Sequence, residues 1–116
     1  MNKLLIAVDG PGASGKGTLC QKLSKHFKIP YLNTGGLYRA TTRKSIENNI
    51  QTDDIESLVK IAQSLTVDDI NNPNNFTEEI GMKTPNIAKI REIRNALLQY
   101  QINFADKPNG AILDGR

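Results

Sequence analysis

The segment Gly10-Pro11-Gly12-Ala13-Ser14-Gly15-Lys16-Gly17-Thr18 constrains this chain more than any other stretch of its sequence. It fits G-x-x-x-x-G-K, a pattern in which glycines let successive backbone N–H groups turn inward around a phosphate. The required context is present. Leu4-Leu5-Ile6-Ala7-Val8, an apolar run of strand length, precedes the loop. A run apolar on both faces suits a central parallel strand covered by helices. A helical pattern follows, with Leu19, Cys20, Leu23 and Phe27 on one face and Pro30 closing it. A helix starting near Gly15 adds the positive end of its dipole to the loop, and Lys16 reaches the β- and γ-phosphates as a point charge. A chance glycine-rich turn is the competing reading, and the flanking strand and helix weaken it. Gly17 stands where Ser or Thr usually follows the lysine, and the hydroxyl comes one place later at Thr18. Thr18 is therefore expected to act on phosphate, or on a water of a magnesium shell, rather than to ligate the metal directly.

Downstream, Tyr31-Leu32 reads as a short strand before Asn33-Thr34-Gly35-Gly36, and Leu37 to about Asn48 as a helix. Asp53 with Glu56 resembles a capping box ahead of an amphipathic stripe of Ile55, Leu58, Val59, Ala62 and Leu65. The asparagine-rich stretch around Pro73 reads as a loop. Thr77 to Phe104 reads as helix, broken or kinked at Pro85, with Ile87, Ile90, Leu97, Tyr100 and Phe104 on its apolar side. Ala111-Ile112-Leu113 is a second buried-strand candidate and runs into Asp114-Gly115-Arg116. This order argues an α/β fold: a parallel sheet flanked by helices, with ligands at the carboxyl ends of its strands. A chain of 116 residues suits one small domain, residues 1–116, and the sheet reads as incomplete at its C-terminal end.

Composition narrows the function classes. The net charge of +3 suits anionic ligands, but Lys and Arg are scattered, so nucleic-acid binding is not required. No apolar run approaches the ~18–20 residues that span a bilayer, and no secretory signal is visible, which points to the cytoplasm. The single cysteine, Cys20, excludes an intramolecular disulfide and a cysteine metal cluster, and is read as core. Thr34 and Arg39 offer a hydroxyl and a guanidinium to a phosphate. On spacing alone, a helix cap with a surface arginine is the favoured reading of that pair. Arg91 and Arg94, three apart on a helix, read alone as a solvated face. Asp114 at a strand end is placed to order magnesium through water and Arg116 to hold a phosphate; a polar strand exit is an equal reading.

Taken together these segments resemble the bacterial cytidylate kinase family. The resemblance rests on Ile6 through Thr18, on Tyr31-Leu32-Asn33-Thr34-Gly35-Gly36-Leu37-Tyr38-Arg39, on Arg91-Glu92-Ile93-Arg94 with Ala96-Leu97-Leu98 and Gln101, and on Ala111 through Arg116. It implies a nucleoside monophosphate kinase-like fold and ATP-dependent phosphorylation of CMP and dCMP, with Mg2+. It implies that 33–104 is largely the acceptor-binding region. It also implies that Gly10, Pro11, Gly12, Ala13, Ser14, Gly15, Lys16, Gly17 and Thr18 hold the ATP phosphates. Thr34, Arg39, Arg94, Asp114 and Arg116 would lie on the acceptor side, with Lys16 and Arg116 the catalytic candidates. The expected partners are these small molecules alone, for a monomer without nucleic acid or membrane. Family members continue well beyond Arg116 with a lid that carries arginines, so the resemblance implies an amino-terminal portion with little activity alone. Asn33 stands where Asp is common, Phe76 where an arginine is usual, and Pro85 about where a serine near the nucleoside is usual. Another P-loop kinase acting on a different monophosphate, and a non-catalytic nucleotide-binding module, are the alternatives.

Overall fold

The computed structural model describes residues 4–8, 16–107 and 110–114. Three strands and six α-helices follow in the order β1 (Leu4–Val8), α1 (Lys16–Phe27), β2 (Tyr31–Asn33), α2 (Thr34–Glu47), α3 (Ile55–Gln63), α4 (Val67–Ile70), α5 (Glu78–Ala88), α6 (Arg91–Ala105) and β3 (Gly110–Asp114), with a 3-10 turn at Pro73–Phe76 between α4 and α5. The chain divides into two compact units, one of residues 1–35 with 101–116 and one of residues 36–100.

The first unit is built on an all-parallel sheet of order β1-β3-β2. The α/β expectation holds: β3 pairs on both sides, with β1 and with β2. Gly110-Ala111-Ile112-Leu113-Asp114 has a ladder on both sides and only Leu113 is less than fully buried, whereas Leu5 on β1 is 59% exposed. The apolar run Leu4–Val8 forms a strand, as expected. Only its Ile6 and Val8 side packs on the core of Cys20, Ile29 and Ile112, together with Leu23 and Tyr31. The register explains the grouping: Ile6, Ile112 and Tyr31 are level across the three strands and share one face.

On α1 the buried line is Cys20 with the half-buried Leu23 and Ser24; Leu19 and Phe27, expected on the same face, are 48% and 44% exposed. Cys20 is fully buried and outside any disulfide. The helix ends on Lys28, whose φ of 56° is left-handed. Ile29 N–H then returns to the Ser24 carbonyl (3.2 Å), and Ser24 Oγ donates to the Ile29 carbonyl (2.5 Å). This is a C-cap that satisfies orphan carbonyls and turns the chain into β2.

In the second unit α3 buries Leu58, Ile61 and Ala62, and Leu65 beyond it is buried too. Its N-cap is Asp54, accepting from Ser57 N–H at 3.3 Å, rather than Asp53. The stretch read as a plain loop carries a short 3-10 turn, and α4 ends just before it. Thr66 and Asp69 make a reciprocal capping box on α4, and Asn72 caps the 3-10 turn with Pro73 at its start. The long helical pattern of 77–104 breaks, but not at Pro85, which lies inside α5. Lys89 N–H still reaches the Pro85 carbonyl (3.2 Å). The ladder tightens at Ile90, whose N–H goes to Ile87 (3.1 Å), and α6 then restarts with Arg94 N–H on Ile90. Proline removes one N–H donor but leaves its carbonyl, so the helix runs one further turn before ending.

Candidate functional site

The parallel register aligns three strand ends. Val8, Asn33 and Asp114 are level, so the loop at 9–15, the β2–α2 junction and the end of β3 all start from one edge of the same sheet. This is the carboxyl end, where α/β sheets bind ligands. α1 begins at Lys16, and the first four N–H groups of a helix have no partner inside it. The loop positions Gly10 to Gly15 lie outside the described residues, as do the side chains at 16–18 and the whole of Arg116.

Asp114 is the fixed point of this edge. It is 5% exposed. The Tyr31 hydroxyl donates to its Oδ2 at 2.9 Å, and the Thr34 hydroxyl donates to its main-chain carbonyl. Burial first, and then the hydrogen bond and charge of Asp114, push the Tyr31 phenol above its ordinary pKa, so it stays a donor. Thr34 was expected to offer its hydroxyl to a phosphate or to cap a helix. Its single hydroxyl hydrogen instead ties α2 to the end of β3, leaving only oxygen lone pairs, which a phosphate oxygen does not seek. Sequence alone gives Tyr31, in the motif Tyr-Leu-Asn-Thr-Gly, no role. Its parallel pairing opposite Ile112, two residues before Asp114, is what brings the phenol to the carboxylate.

The other expected residues lie in the second unit. Arg39, on the second turn of α2, is half-buried. Its Nη1 donates to the Asn75 carbonyl at 3.4 Å, and its guanidinium carbon stands 5.5 Å from the centre of the Phe76 ring. A methyl group on Gly81 of α5 would stand 3.4 Å from Nη1, so the guanidinium lies against bare backbone there. Arg91 and Arg94 are both exposed at the start of α6. The structure thus joins Thr34 to Asp114 and fixes Arg39, whereas the Arg94 side chain has no hydrogen-bond or ion-pair partner among the described residues.

Beneath Arg39 sits a polar network that sequence reading missed. Arg43 is 7% exposed and Asn75 fully buried. Arg43 Nε donates to Asn75 Oδ1 (2.7 Å) and Nη1 to Glu47 Oε1 (2.8 Å), while Nη2 lies 3.7 Å from Asp69 Oδ1. Asn75 Nδ2 donates to the carbonyls of Asp69 (2.8 Å) and Ile70 (3.0 Å). Burial raises the Asp69 carboxyl, but the Thr66 backbone N–H, Lys44 at 3.2 Å and the Thr66 hydroxyl outweigh it and hold the group below its ordinary value. The linkage sign follows. A depressed folded pKa gives stability that is complete above the unfolded value of roughly 3.9 and is lost as pH falls through the folded one. Urea midpoints of the wild-type chain therefore fall below about pH 4, and Asp69→Asn makes that acid limb shallower; equal limbs in the two proteins contradict the assignment.

A cavity of about 270 Å³ also opens in this unit, lined by Thr42, Ser45, Ile50, Thr52, Lys83 and Asn86 among others. None of the expected site residues lines it. Among the described residues no group of three or more His, Cys, Asp or Glu is gathered to hold a metal, and no helix is long and apolar enough to cross a membrane.

The family model described as cytidylate kinase matches residues 6–116. A cytidylate kinase of Methylocella silvestris is 42% identical over 113 residues, covering 97% of this chain and 52% of that protein. One of Acidiphilium cryptum is 42% identical over 113 residues, with 97% and 53% covered. One of Bartonella bacilliformis is 39% identical over 117 residues, with 100% and 54% covered. The chain spans about half the length of the curated relatives it matches.

Proposed function

This chain belongs to the cytidylate kinase family, and from that premise we propose that it supplies the phosphate loop and the acceptor-binding part of an enzyme that transfers a phosphoryl group from ATP to CMP and dCMP. The observation that carries the reading is the level ending of Val8, Asn33 and Asp114, which sets the loop, the β2–α2 junction and a buried acid on one edge of a parallel sheet. A helix that begins at Lys16 directly after the loop supports a polyphosphate there.

Gly10 to Thr18 hold the donor phosphates, with Lys16 on the β- and γ-oxygens. Arg39, Arg94 and Arg116 take the acceptor monophosphate by charge-assisted hydrogen bonds, within an acceptor region of residues 33–104 in one kinase domain. Thr34 serves by fixing Asp114. Magnesium keeps most of its waters and is held by one or two carboxylates and substrate phosphates. The buried Asp114 carboxylate at the strand edge fits that mode. Magnesium supplies charge neutralisation on the phosphates, and Asp114, with Thr18, orients it through water. The chain acts as a soluble monomer in the cytoplasm, on small molecules rather than nucleic acid.

A panel of acceptors offered with ATP and Mg2+ tests the reading. Diphosphate formation by the chain alone that is slow, yet greater from CMP and dCMP than from UMP and AMP, is the expected result. Preference for AMP or UMP assigns the chain to another monophosphate kinase, and nucleotide binding without any transfer favours a non-catalytic module.

A further inference from the structure

The surroundings of Arg39 differ from those of a structural arginine. A guanidinium fixed for stability is ordinarily matched by a carboxylate, as Arg43 is by Glu47 and Asp69 in the same unit. Around Arg39 the described residues offer no carboxylate within ion-pair distance. They offer the Asn75 carbonyl, the face of the Phe76 ring and the bare backbone at Gly81. Each orders the guanidinium plane without cancelling its charge, because a ring quadrupole and a carbonyl dipole attract a cation but leave it a cation. A carboxylate in the same place would compete with any incoming anion.

Phe76 is itself 58% exposed, so core burial does not account for where its ring lies. Its two neighbours do. Asn75 is fully buried and donates to two carbonyls, and Thr77 caps α5 by accepting from Ile80 N–H at 3.4 Å. The ring is therefore delivered by an anchored 3-10 turn to the one place where it covers Arg39. A long, rotamer-rich side chain that must meet a phosphate in a set plane loses freedom on binding, and prior ordering removes that loss from the binding step.

We infer that Phe76 is a positioning residue for Arg39, preorienting its guanidinium for the acceptor phosphate. The inference rests on the acceptor reading above and adds a residue for which an arginine would be the family-like choice.

The test uses the 116-residue chain, labelled so that the Arg39 Nε–Hε resonance is observed, with CMP titrated by calorimetry. Phe76→Leu is expected to move that resonance toward those of the exposed Arg91 and Arg94 and to weaken CMP binding about two- to fivefold, the size of an exposed cation–π contact. Phe76→Trp restores both values. An unmoved resonance in Phe76→Leu overturns the contact, and a moved resonance with unchanged CMP affinity overturns the positioning role. Failure of Phe76→Trp to rescue overturns the aromatic argument. Phe76→Met repeats the comparison should the leucine variant melt early. A wild-type chain whose Arg39 resonance responds to Phe76 but which binds no CMP removes the acceptor reading, and the phosphate role falls with it while the contact stands.

Discussion

Replacing Asn75 by alanine lowers the stability of the chain by about 3–5 kcal/mol, the cost of leaving buried polar and charged groups unpaired. The side chain is fully buried and serves three partners. Alanine removes the amide donor from the Ile70 carbonyl and from the Asp69 carbonyl, which keeps only the longer backbone bonds of the α4 C-cap. It also strips the hydrogen bond from Arg43 Nε on a guanidinium that is 7% exposed and whose Nη2 has only a 3.7 Å ion pair. A small domain has roughly 5–15 kcal/mol in total. The loss therefore moves the urea midpoint by about 1 M or more at a slope of ~1–3 kcal/mol per M. A variant that unfolds at the wild-type midpoint shows that the network is not what holds the 3-10 turn. Where the variant stays folded, the turn that carries Phe76 loosens and Arg39 loses its ordering.

Lys16→Ala abolishes measurable ATP binding. In the proposed reading its ammonium is the charge that meets the donor phosphates, on the first residue of α1. Hydrogen bonds to charged groups are worth about 1.5–3 kcal/mol each, so two phosphate contacts amount to about a hundredfold or more in affinity. ATP calorimetry on the variant reads this directly, and CMP affinity in the same preparation stays at the wild-type value. Retained ATP affinity overturns the assignment of the donor loop.

Some of this was legible in the sequence for definite reasons. An uninterrupted apolar run before a glycine-rich segment has few folds open to it, so the strand and α1 were found together. Asp114 was found because an acid directly after Ala111-Ile112-Leu113 has to end a buried strand. Which side of β1 packs on the core of Cys20, Ile29 and Ile112 was not legible, because Leu4–Val8 is apolar throughout. The role of Asn75 was hidden in a run of asparagines whose composition says loop. Only the fold shows that one of them is fully buried, with its amide split between Arg43 and two carbonyls. Thr34 shows the reverse limit: the motif offers its hydroxyl to a phosphate or to a helix cap, and the fold turns that hydroxyl inward to the Asp114 carbonyl. Spacing cannot tell a phosphate donor from a tie between strand and helix.

Titration of the chain with CMP, beside UMP and AMP, tests the central claim most directly, since acceptor identity separates this family from other phosphate-loop kinases. The account predicts saturable one-to-one binding of CMP, tighter than that of the other two and weakened by Arg39→Ala. Tighter binding of AMP or UMP, or CMP binding indifferent to Arg39, contradicts it.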